Sequence, residues 1–118
     1  MRKKSYFSDE ELECGCCGEL EMDEDFLCIL NKLRADFNYP MIVTSAYRCE
    51  GHNAAVGGSP NSQHLLGNAV DIHWEDYSSA LKYRLIQFAL DYDFRGIGIS
   101  DEFIHLDRRD TQGKVWTY

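Results

Sequence analysis

The sequence predicts an α+β fold: a small, mainly antiparallel sheet with helices packed against it. Helical periodicity appears at residues 25–37 and again from about Tyr77 onward, while two short strand patterns, 96–100 and 103–107, follow one another near the C-terminal end. Neighbouring strands with no helix between them favour antiparallel pairing over a doubly wound sheet. The length of 118 residues matches one domain spanning 1–118, since a second core would have too little chain left to bury.

Each element has a local reason. Phe26, Leu30, Leu33 and Phe37 recur at helical spacing; acids precede them, Lys32 and Arg34 come late, and Asn38, Tyr39 and Pro40 end the helix. Residues 41–45 read as a short β-branched strand, and 50–56 as a brief helix closing at Gly57 and Gly58, with a loop over 58–62. In 69–74 alternation puts Ala69, Asp71 and His73 on one face and Val70, Ile72 and Trp74 on the other. Leu81, Leu85, Phe88 and Tyr92 mark the second amphipathic helix. The order is helix, strand, small helix, strand, helix, strand, strand.

Twelve Lys and Arg against 20 Asp and Glu give a formal charge of -8, which argues against nucleic acid or an anionic membrane as partner. The basic start at residues 1–4 is followed by Asp9, Glu10 and Glu11 where a secretion signal needs an apolar run. Synthesis in the cytoplasm without a signal peptide is therefore expected. No apolar stretch approaches the ~20 residues that span a bilayer. Five cysteines, an odd number, fit free thiols better than a disulfide framework. Cys14 and Cys17 have C-x-x-C spacing, with Cys16 between them, and raise a second metal site. A structural zinc site normally uses two such knuckles, so buried or free thiols are the competing reading.

Potential ligands for a catalytic metal are His64, Asp71 and His105, the last beside Asp107. Zinc favours tetrahedral sites, and a catalytic centre takes three protein ligands and leaves a position for water. Two His and one Asp meet that count, whereas any one of them alone is as readily a turn cap or a solvent-facing group. Residues 62–71 read S-x-H-x-x-G-x-A-x-D, and Phe103-Ile104-His105-Leu106-Asp107 supplies H-x-D.

Together these motifs resemble the family of zinc-dependent D-Ala-D-Ala peptidases, whose fold is shared with the signalling domain of hedgehog proteins. The similarity extends upstream to Thr44-Ser45-Ala46-Tyr47-Arg48, to His52-Asn53 and to Val56-Gly57-Gly58, which look like the small single-domain branch. The resemblance implies a hedgehog/DD-peptidase-like fold, Zn2+ on His64, Asp71 and His105, and Arg48 recognising or polarising the substrate. It also implies a general base three positions before the last ligand, which is Glu102. Strand parity puts position 102 on the opposite side from His105, so Glu102 must sit on a loop or bulge; Asp101 is the alternative.

Asp107 shares the face of His105 and is placed either to orient that imidazole or to form a plain strand-end salt bridge. His73 shares the Asp71 face but is not taken as a ligand. Ser62 and Gly67 read as structural, and Trp74 and Trp116 as core or rim aromatics, Trp116 bordering the cleft. The implied activity is hydrolysis of an amide bond in a peptidoglycan stem peptide, as a D-Ala-D-Ala carboxypeptidase or related endopeptidase. The alternative is a non-catalytic, zinc-containing binding or phage structural module. A phage enzyme acting on the cell wall after release would meet this substrate without an export signal.

Overall fold

Strand alternation and helix capping account for the architecture. In chain order the computed structural model, which describes residues 5–118, contains α1 (Asp9–Leu12), α2 (Glu24–Phe37), β1 (Ile42–Ser45) and α3 (Glu50–Ala55). A 3-10 turn (Gln63–Leu66) follows, then β2 (Ala69–His73), α4 (Ser79–Asp91), β3 (Gly96–Ile99), β4 (Phe103–Asp107) and β5 (Lys114–Thr117). Residues 1–4, the basic start weighed above as a leader, lie outside the described residues.

The helices begin and end where side chains satisfy free backbone groups. Asp23 accepts from the Phe26 amide at 2.8 Å to start α2, and Asn38 ends it in the left-handed region at φ 54°, which Asn tolerates better than most residues. Ser78 accepts from the Leu81 amide at 3.1 Å to start α4. α1 is marked by a capping box, Ser8 with Glu11, since four residues are too few to show a period.

The five strands form one sheet in the order β1-β2-β4-β3-β5. All pairs are antiparallel except β3 with β5. The expected α+β class and mainly antiparallel sheet are therefore present. β5 is an addition that short, largely exposed residues did not announce. Even-numbered positions of β2 and β4, namely Val70, Ile72, Ile104 and Leu106, pack on Phe26, Leu30, Leu33 and Phe37 of α2. Each such burial contributes about 1.5–3 kcal/mol, so this apolar layer carries much of the stability.

Odd-numbered positions turn to the other face of the sheet. Asp71 pairs directly with His105, and Gly98 of β3 lies on the far side of His105. The register of β1 breaks between Val43 and Ser45, and the chain then makes an excursion over residues 46–68 before returning as β2. That excursion brings Arg48 and His64 to the same face as Asp71.

Candidate metal centre

Three buried side chains converge on the polar face: His64 from the 3-10 turn, Asp71 from β2 and His105 from β4. One ligand atom from each lies within 4.8 Å of the other two. Asp71 Oδ1 is 3.2 Å from His64 Nε2 and 3.0 Å from His105 Nδ1.

The remaining ring nitrogens define what faces the centre. His64 Nδ1 lies 2.6 Å from the Ala46 carbonyl and His105 Nε2 lies 2.7 Å from Asp107 Oδ2. Both partners only accept, so those nitrogens carry the protons, and a neutral ring then directs a lone pair from its other nitrogen at Asp71. Three electron-rich atoms facing one another repel unless a proton or a cation lies between them. The donor set, two imidazoles and one carboxylate with fixed outer hydrogen bonds, fits Zn2+.

The electrostatics favour positive charge at this point. Burial opposes the charge of Asp71, but its contacts with His105 and His64 outweigh it and hold the carboxyl well below the usual carboxylate range. Burial also disfavours charge on His105, yet its contacts with Asp107 and Asp71 raise its pKa above the ordinary histidine value. Asp107, fully buried, is clamped by Arg109 through Nε at 2.9 Å and Nη2 at 2.7 Å.

Arg48 sits beside this centre. Its Nη2 contacts Asp71 Oδ2 at 3.3 Å, its Nε donates to Ser45 Oγ at 3.2 Å, and its Nη1 donates to Asn53 Oδ1 at 3.2 Å. Asn53 in turn donates to the Ser59 carbonyl at 2.8 Å, which ties the guanidinium to the loop after α3. A cleft of about 700 Å³ opens over the group, with Arg48, Arg109 and Lys114 on its walls.

A family model for peptidase M15 matches residues 5–107. The chain belongs to the peptidase M15 family. That is a family of zinc-dependent metallopeptidases, and the four α-helices and five-stranded, mostly antiparallel sheet seen among the described residues agree with its α+β fold. No curated protein matches the chain.

In this M15 chain the other residues singled out from sequence fall in distinct places. Glu102 is exposed in the turn between β3 and β4, where its amide donates to Ser100 Oγ at 3.1 Å and its carbonyl accepts from Trp74 at 3.0 Å. It precedes β4 and so escapes strand alternation, and its neighbour Phe103 lines the cleft. Asp101, also exposed, borders a separate groove beside Trp74 and α4. Among the described residues that line the cleft, Asp71 carries the one carboxylate side chain. His73 lies outside the cluster and faces Asp76 at 3.7 Å. Ser62 accepts from the His64 amide at 3.2 Å, and Gly67 takes φ 66° at the end of the turn, where a Cβ would collide with the Glu21 carbonyl.

Trp116 borders the cleft, and its ring lies 5.2 Å from that of His105. Sequence reasoning did not find Asn53, Arg109, Lys114 or Tyr118 as parts of this site. Arg109 had a legible signal, since it continues the odd-numbered alternation of His105 and Asp107. Lys114 and Tyr118 had none, because they depend on β5 pairing with β3.

Among the described residues, no helix is long and apolar enough to cross a membrane.

Proposed function

We propose that this M15 family member is a zinc metallopeptidase that hydrolyses an amide bond in the stem peptides of peptidoglycan, as a D-Ala-D-Ala carboxypeptidase or a related endopeptidase. The observation that carries this reading is the convergence of His64, Asp71 and His105 at the floor of a cleft, with both imidazoles held by outer hydrogen bonds. When bound, Zn2+ supplies a Lewis acid and lowers the pKa of water to about 7. His64, Asp71 and His105 would hold it.

The chain's own residues account for the rest. Arg48 offers a planar fork to a substrate carboxylate or to the oxygen that gains charge during amide cleavage, and its contacts with Ser45 and Asn53 fix that fork in advance. Arg48, Arg109 and Lys114 make the cleft walls basic in a chain of formal charge -8, which suits an anionic peptide terminus. Glu102 takes the proton of the attacking water and passes it to the leaving amine. Its support is its position three residues before His105, on a turn free of strand parity. We place the whole activity in one domain and suggest a phage enzyme that reaches the wall after release from the cell.

A second reading has its own observation. Because Asp71 carries the one carboxylate side chain among the described residues that line the cleft and Glu102 is exposed at the turn, a binding or phage structural module that keeps zinc without turnover also fits. Incubating the zinc-loaded chain with purified peptidoglycan and defined stem peptides separates the two by mass spectrometry of the products. Release of a terminal residue or a cut stem is expected from the wild type. His64→Ala should lose cleft metal and activity together, while Glu102→Gln should keep the metal and lose about 10²–10⁴-fold in rate. Full activity in Glu102→Gln rejects that residue as base, and no release from any stem selects the binding module.

A further inference from the structure

Four of the five cysteines gather in a second group, none of them among the residues that line the cleft. Cys14, Cys16 and Cys17 lie on the turn after α1, and Cys49 follows Arg48 at the start of α3. One sulfur from each lies within 4.8 Å of the others. Sγ separations are 3.5 Å for Cys14 to Cys16, 3.7 Å for Cys14 to Cys49, and 3.5 Å for Cys16 to Cys49.

These distances discriminate between thiol chemistries. A disulfide needs about 2.05 Å between sulfurs, and all five thiols are free. Four sulfurs placed about 2.3 Å from a central zinc form a tetrahedron with edges of about 3.8 Å. The three separations among Cys14, Cys16 and Cys49 are close to that edge, and Cys17 Sγ lies within 4.8 Å of each of them. The lone C-x-x-C knuckle is thus completed by Cys16 within it and by Cys49 from a distant segment.

We propose that Cys14, Cys16, Cys17 and Cys49 form a structural tetrathiolate site for Zn2+. Backbone donors are already directed at two of the sulfurs: the Cys49 amide lies 3.5 Å from Cys14 Sγ, and the His52 amide 3.4 Å from Cys49 Sγ. Such N–H···S contacts favour thiolates in a metal site. Binding releases to solvent the protons that the thiols carry, and no electron transfer is involved. Cys16 and Cys17 are exposed, which gives the ion a path in. The Tyr47 amide donates to the Leu12 carbonyl at 3.1 Å, so the same two segments are already in register before the ion joins them. The ion would lock the turn after α1 to the segment that carries Arg48.

The test uses the full chain purified and zinc-loaded under a non-thiol reductant, with metal counted by elemental mass spectrometry. Wild type and Cys28→Ser, whose thiol lies outside the cluster on α2, should each retain about two zinc ions per chain. His64→Ala and the double variant Cys14→Ser, Cys49→Ser should each fall to about one. Cobalt in the His64→Ala chain should show the intense near-ultraviolet bands of thiolate-to-metal charge transfer, a readout that does not require the cysteine variant to fold. Absence of those bands, or a His64→Ala chain with no bound metal, overturns the proposal. A single zinc ion with thiolate bands, unaffected by His64→Ala, would support the cysteine site and reject the cleft as a metal centre.

Discussion

Asp107 decides how His105 presents itself to the cleft. Fully buried, it accepts from His105 Nε2 and from Arg109, and although burial opposes its charge, these contacts hold its carboxyl well below the usual range. It therefore stays ionised and keeps the proton of His105 on the outer nitrogen. Asp107→Asn should weaken zinc binding at the cleft about 10–100-fold, read by competition with a chelator, while far-ultraviolet circular dichroism stays unchanged. Arg48→Lys tests a different contact: charge is kept but the fork that reaches Ser45, Asn53 and Asp71 together is lost. Metal content should be retained and kcat/KM on a stem peptide should fall about 10²-fold. His64, Asp71 and His105 stood out in the sequence through the family resemblance that S-x-H-x-x-G-x-A-x-D and H-x-D carry, whereas the pairing that sets Asp71 opposite His105 comes from the strand register. Asn53 was given no role, since its link to Arg48 depends on how the first turn of α3 folds back on the segment before it.

At the level of elements, β3 shows how the side chains around the cleft are given room. Its polar face carries only Gly96 and Gly98, and larger side chains from neighbouring strands lie across them. A Cβ at Gly96 would overlap the Asp107 carboxylate, and one at Gly98 would stand 2.6 Å from Trp116 Nε1. Gly98→Ala should push Trp116 aside, loosen β5 and cost about 1–3 kcal/mol in urea unfolding, with a change in Trp116 fluorescence measured in a Trp74→Phe background. The helices were legible because α2 and α4 repeat apolar residues through three turns. β5 was not: it has four residues with none of them buried, and it owes its place to parallel pairing with Gly96–Ile99.

For the molecule as a whole, the class of fold was legible and the strand order was not. Local periodicity marks helices and strands, whereas the order β1-β2-β4-β3-β5 depends on contacts between distant segments. Tyr77 is one such contact, donating to the Pro40 carbonyl at 2.7 Å and packing near Phe37 and Tyr39. Burial, with the neighbouring Tyr39, pushes its pKa up to about 12. A phenol with a raised folded pKa contributes stability that is complete below its unfolded value near 10 and is lost as pH rises through the folded value. Urea unfolding between these limits should show stability falling with pH, and Tyr77→Phe should flatten its share of that fall.

The pairing of Asp71 with His105 has a further consequence. Shifting β4 by a single residue against β2 would swing Ile104 and Leu106 outward into water and drive His105 among the hydrocarbon side chains beneath. Alignment errors are thus rejected by the oily side of the strand rather than by the reactive side. The layer that never meets a ligand acts as the proofreader of the one that does.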